Sequence, residues 1–130
     1  IALNSLQTMN SYNPYKSTVT DETLVKFLQN DLKYDLETIP GIGPAAKKIL
    51  HENNIKNCFQ LFAKFLQFKE VEGDDCVVHC DKFYGFLTDA GIKSNRHSIV
   101  KSVAEKCSIF LPNLYHEHQF QHLENMDTEC

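Results

Sequence analysis

Leu36-Glu37-Thr38-Ile39-Pro40-Gly41-Ile42-Gly43-Pro44-Ala45-Ala46-Lys47-Lys48-Ile49-Leu50 is the stretch around which the chain is organised. Two glycines flank one apolar residue between two short helical patterns, which describes a tight hairpin whose tip is backbone. Gly41 and Gly43 can take positive φ at little steric cost, and without a Cβ they let a foreign surface come close to the peptide groups. Ile42 between them is an apolar pin turned back into the core. Pro44 suits the first position of a new helix, where its missing N–H would be unpaired in any case. A helix start presents unpaired N–H groups and the positive end of the macrodipole, so an anion can be held there without a basic side chain. Lys47 and Lys48, one turn on, add positive charge.

The order apolar-Pro-Gly-apolar-Gly, followed by Ala and Lys on the next helix, resembles the helix-hairpin-helix motif. That motif grips the DNA backbone without reading sequence. The alternative is a helix corner that needs glycine for its geometry and touches nothing.

Working outward, the spacing of apolar residues predicts helices and no strand. Thr20 is a good N-cap, with Asp21 and Glu22 placed to favour the dipole, and Leu24, Phe27, Leu28 and Leu32 form a stripe behind it. A short helix at about 35–39 enters the hairpin, and the helix after it buries Ala45, Ala46, Ile49 and Leu50 before Asn53-Asn54. Asn57 caps a helix with Cys58, Phe59, Phe62, Phe65 and Leu66 at helical spacing, read as core and not as a base-stacking platform. Residues 70–75 form an acidic loop, and a helix follows from about 76 to 88. Asp89-Ala90-Gly91 breaks it. Ser94 or Asn95 then caps the longest helix, whose face is Ile99, Val100, Val103, Ala104, Cys107, Phe110 and Leu111, and Pro112 stops it. The fold class is all-α: a compact bundle of about five to six short helices containing the hairpin. Residues 1–19 read as a flexible arm, 20–112 as the domain, and 113–130 as a weakly helical tail with a frayed acidic end.

The 130 residues suit one domain, and no apolar run is long enough for a transmembrane helix or a signal peptide. Five cysteines without a tight framework of spacings suggest free thiols in a reducing compartment. The net charge of −4 speaks against binding nucleic acid through bulk charge. Its distribution is uneven. Between residues 41 and 70, five lysines (Lys47, Lys48, Lys56, Lys64, Lys69) stand against Glu52 and Glu70, and between 91 and 112, Lys93, Arg96, Lys101 and Lys106 stand against Glu105 alone. Two such segments can form a phosphate footprint on an acidic protein if the fold brings them together.

The turn Gly91-Ile92-Lys93-Ser94-Asn95-Arg96-His97 repeats the hairpin's chemistry: a glycine, then a helix start with positive side chains. Basic groups there oppose the dipole, and an incoming phosphate would relieve the conflict. An ordinary capped helix with solvated basic groups is the other reading.

With these segments in order, the chain resembles the barrier-to-autointegration factor family from about residue 24 to 111. The likeness rests on Phe27, Gly41-Ile42-Gly43, Lys47-Lys48 with Leu50, Phe65-Leu66-Gln67-Phe68-Lys69, Phe83, Phe86-Leu87, Asp89, and Cys107 with Phe110-Leu111. What it implies is a nuclear chromatin protein that binds double-stranded DNA without sequence preference, bridges duplexes as a homodimer and binds LEM-domain partners. The family's phosphate contacts then fall on Gly41, Gly43, Ala45 and Lys47, and on Ser94, Asn95 and Arg96, and the chemistry of the two helix starts adds Ile42, Lys48 and Lys93 as candidates. Phe83, Tyr84, Phe86 and Leu87, more apolar residues than one buried helix face needs, are candidates for an isologous interface or for burial on two sides of a monomer. The sequence departs from the family in having Thr23 where the family has a DNA-contacting lysine, a longer segment at 70–80, and extra chain at both ends.

Rival chemistry has little support. Cys76, His79 and Cys80 lack a second ligand pair at zinc spacing, and His116, His118 and His122 stand in the tail, so no metal or cofactor is expected. Cys58 and Cys107 lie on apolar stripes where thiols are inert, and no carboxylate cluster is arranged for hydrolysis, so the chain does not read as an enzyme. A protein-interaction scaffold with a purely structural hairpin is one alternative function, and an accessory helix-hairpin-helix module of a DNA-processing complex is the other.

Overall fold

A computed structural model of the chain describes residues 11–73 and 75–124, and these are entirely helical, loop or turn. The all-α expectation holds. The helices are α1 (Asp21–Gln29), α2 (Pro44–Glu52), α3 (Cys58–Gln67), α4 (Cys76–Ala90) and α5 (Arg96–Phe110), with 3-10 turns at Pro14–Lys16, Leu36–Thr38 and Glu117–Leu123. Among the described residues none of the helices is long and apolar enough to cross a membrane.

Local chemistry sets most boundaries. Thr20 Oγ1 accepts from the Thr23 N–H, Asn57 Oδ1 from Gln60 and Asp75 Oδ1 from Val78, which caps α1, α3 and α4. Gly91 ends α4 at φ 106°, a left-handed conformation natural to glycine. The two long helices α4 and α5 pack on each other, with α1 and α3 against α5. Their shared core contains Leu50, Leu61, Phe65, Cys80, Phe83, Leu87, Ile99, Val100 and Val103.

Four sequence expectations need correction. Residues 11–19 are not a free arm. Tyr12 is fully buried against Phe120, its hydroxyl is 2.8 Å from that of Tyr115, and Asn13 and Pro14 are buried beside it. Three backbone N–H groups hold the segment down: Tyr12 donates to Asp81 Oδ1 (3.0 Å), Asn13 to His97 Nδ1 (3.1 Å) and Thr18 to Ser98 Oγ (2.9 Å). Such anchoring is long-range and leaves no periodic trace. The tail is likewise structural through residue 124, since Leu114, Tyr115, Phe120 and Leu123 are buried, so the domain extends beyond 20–112 on both sides. Residues 1–10 and 125–130, the remainder of the expected arm and tail, lie outside the described residues.

The apolar stripes also overreach. Phe59 and Leu66 of α3 are exposed while Leu61 takes their place inside, and Ala45 is exposed on α2. Phe110 and Leu111 continue the period of α5, yet Phe110 is 73 % exposed because the last turn stands clear of the core. Finally, Phe83, Tyr84 and Leu87 are buried within the protomer, and Phe86 is half-buried against Phe68 and Phe83. The expected dimer interface is therefore internal packing, the two-sided burial of α4.

One buried charge ties α1 to the bundle. Lys106 stands on the apolar side of α5, and its Nζ donates to the carbonyls of Phe27 (2.6 Å), Leu28 (3.2 Å) and Asn30 at the end of α1. It also lies 5.1 Å from the Phe27 ring centroid. The ammonium satisfies terminal helix carbonyls and sits at the negative end of the dipole. Burial pulls its pKa down.

Candidate nucleic-acid interface

The hairpin begins with Asp35, whose carboxylate accepts from the Glu37 N–H and starts the 3-10 turn. Ile39 and Ile42 are both buried, and the Ile42 N–H donates to the Ile39 carbonyl at 3.0 Å, closing the turn. Ile42 is thus the core pin that its position suggests. With side chain and N–H both committed, it has little left to offer a ligand.

The two glycines do different work. Gly41 has φ 100°, and a Cβ there would lie 3.1 Å from Ile99 Cγ1, 3.2 Å from Ser98 Cβ and 3.3 Å from the Asn95 carbonyl oxygen. Its missing side chain therefore lets the hairpin sit on the first turn of α5. Gly43 has φ −104°, so it does not need left-handed freedom, and nothing lies within 4 Å of where its Cβ would be. The space before Gly43 is open.

Gly41 brings the two expected anion sites together. The N-terminus of α2 and that of α5 are the helix starts without a capping side chain, whereas α1, α3 and α4 each have one. Neither uncapped start has an acidic residue in its first turn. The first intrahelical bonds run from the Lys47 N–H to the Gly43 carbonyl and from the Ile99 N–H to the Asn95 carbonyl. The N–H groups of Ala45 and Ala46, and of Arg96, precede those bonds and lack intrahelical acceptors. Asn95 itself holds φ 62°, and its side chain makes no capping hydrogen bond.

The side chains around these starts divide into two groups. Ala45, Lys48, Lys93, Ser94 and Asn95 are exposed. Lys47 is held by the incoming arm of the hairpin, with Nζ 3.0 Å from Asp35 Oδ1 and 3.6 Å from Glu37 Oε2. The Glu37 N–H and then Lys47 lower the Asp35 pKa, and Asp35 raises that of Lys47. Arg96 turns toward α4, donating to Thr88 Oγ1 at 2.9 Å with its guanidinium 5.0 Å from the Tyr84 ring centroid.

His97 is a hydrogen-bond acceptor at Nδ1, because the Asn13 N–H can only donate; its proton then belongs on Nε2, 3.3 Å from the Tyr84 hydroxyl. Lys101 pairs with Glu117 at 3.2 Å, and Lys106 is buried, so the basic surplus of the last helix is largely spent inside the protein.

Sequence inspection missed the acids that hold Lys47, although Asp35 and Glu37 are visible just ahead of the hairpin. It also missed Lys106, which a cation three residues after Val103 on an apolar face could have signalled.

The rival sites do not assemble. Among the described residues no three His, Cys, Asp or Glu side chains could share a metal ion. Cys58, Cys76, Cys80 and Cys107 are buried, and burial raises the pKa of each thiol, that of Cys107 to about 12. His79 Nε2 donates to the Phe65 carbonyl at 2.7 Å, its ring stacks on Phe65, and burial lowers its pKa. These groups serve packing.

Compared with models of known families, with curated proteins and with solved structures, the chain matches none.

Proposed function

We propose that this protein binds double-stranded DNA through phosphate contacts, independently of base sequence, and bridges duplexes as a homodimer in chromatin organisation. The observation that carries this reading is the meeting, at Gly41, of the two helix starts without side-chain caps. One backbone phosphate at Gly43 and Ala45 and another at Ser94 and Asn95 would supply the missing acceptors, with Lys48 and Lys93 adding charge. These donors reach phosphates and not base edges, so unrelated duplexes are expected to bind alike.

Bridging needs a second copy. With Phe83, Tyr84 and Leu87 buried, an exposed apolar strip on α3 is the candidate: Phe59, Ala63 and Leu66, with the Tyr34 ring tilted against Phe59 at 5.4 Å between centroids. Two copies packed antiparallel about Ala63 would cover each other's strip, an isologous arrangement.

A gel-shift series with unrelated duplexes across salt concentrations tests the reading. Binding is expected to be sequence-blind, with a log–log salt slope on the order of −2 to −4 per protomer. Gly43→Glu is expected to abolish binding while preserving the fold, since the space there is open. No binding at low salt, or a strong preference for one sequence, refutes it. Light scattering decides the dimer, and a monomer that binds one duplex at a time removes bridging.

The protein-interaction alternative has one observation of its own, the exposed run Ile109, Phe110 and Leu111 at the end of α5. A protein that fails to bind DNA and still associates through that end would support it.

A further inference from the structure

The hairpin has an internal competitor for phosphate. Lys47 lies one turn beyond Gly43, where it could meet an anion at the tip, yet its ammonium is shared between Asp35 and Glu37 on the incoming arm. Asp35 is fixed in turn, because the oxygen that faces Lys47 also accepts the Glu37 N–H at 3.0 Å. The three side chains carry a net charge of −1. Lys48, the next residue, has no acidic partner among the described residues.

We infer that Asp35 and Glu37 act as an electrostatic brake on phosphate binding at the hairpin, holding Lys47 as a brace of the turn and placing negative charge beside the tip. This inference rests on the DNA-binding reading and concerns the regulation of the same site. A polyanion approaching Gly43 meets two carboxylates on one arm of the hairpin and an occupied lysine on the other. Lys48 and the helix N–H groups are then left to hold it. Affinity is kept below what the count of lysines suggests, and any change that neutralises the two acids releases it.

The double variant Asp35→Asn, Glu37→Gln tests the inference. Asparagine retains the oxygen that caps the Glu37 N–H and is itself a good capping residue, so the hairpin is expected to fold. Releasing one lysine to phosphate steepens the log–log salt slope by about 0.9, and affinity at about 50 mM salt is expected to rise roughly tenfold. Lys47→Ala is expected to change the slope little in the wild-type background and to remove the gained slope in the double variant, a non-additivity that reports direct coupling. Glu37→Gln alone leaves the Asp35 cap untouched and is expected to give part of the gain.

Circular dichroism melts establish that each variant is folded. A folded double variant that binds no more tightly than wild type overturns the inference and leaves DNA binding in place. So does a slope that falls by about one on Lys47→Ala in the wild type, because Lys47 would then already contact phosphate. If the wild type binds no duplex at low salt, the DNA-binding reading falls, and this inference with it.

Discussion

Replacing Asp81 by asparagine is expected to stabilise the protein at pH 7. Asp81 lies on α4, and its Oδ1 accepts the Tyr12 N–H that anchors the N-terminal segment. Burial raises its pKa from 3.8 to about 6 against the opposing pull of that hydrogen bond; Asp75 raises it further, and His122 lowers it. Each tenfold difference in proton affinity is worth about 1.4 kcal/mol, so the ionised carboxylate costs the folded state up to about 3 kcal/mol at pH 7. Asparagine keeps an oxygen for the Tyr12 N–H and removes the charge, but it must desolvate its amide. The expected net gain is about 1 to 2 kcal/mol, or roughly 4 to 8 °C in Tm.

The sign fixes the pH window. A carboxyl whose folded pKa is raised contributes stability that is fully present below pH 3.8 and lost as pH rises through about 6. The gap between Asp81→Asn and wild type is therefore greatest above pH 6 and closes toward pH 4. His79 acts in the opposite direction, since its lowered pKa costs stability as pH falls below 6.5, but it is common to both proteins and cancels in the difference. Thermal melts of both proteins from pH 4 to 8 measure the gap. A variant less stable than wild type at pH 7, or a gap that does not change with pH, refutes the account of Asp81.

The hairpin glycines predict a contrast: Gly41→Ala combines φ 100° with atoms at 3.1 to 3.3 Å and is expected to cost about 1 to 3 kcal/mol, whereas Gly43→Ala is expected to be nearly neutral in the same denaturant titration. Lys106→Met keeps the length of the side chain but leaves the carbonyls of Phe27, Leu28 and Asn30 without their donor. A loss of about 2 to 4 kcal/mol in urea unfolding is expected, with hydrogen exchange rising first in α1.

The sequence determines the elements of this protein because caps and helix periodicity are local. Thr20, Asn57 and Gly91 mark boundaries through bonds and torsions within a few residues, and the hairpin is legible for the same reason: Pro40-Gly41-Ile42-Gly43-Pro44 dictates a turn and a helix start without help from elsewhere. The uncapped start of α2 follows from that reading. Tertiary structure alone decides which charges and faces remain available. Lys47, Arg96, Lys101 and Lys106 look alike in a tally of basic residues, yet their partners Asp35, Thr88, Glu117 and the end of α1 lie 8 to 79 residues away in sequence. The same holds for burial. Phe83 and Phe110 share helical spacing with their neighbours, but one is enclosed by α3 and α5 and the other stands beyond the end of the core. Periodicity reports which side of a helix is apolar; how many layers cover that side, and where the cover stops, depends on segments such as residues 11–19, which carry no pattern and owe their place to the burial of Tyr12 and to single long-range hydrogen bonds.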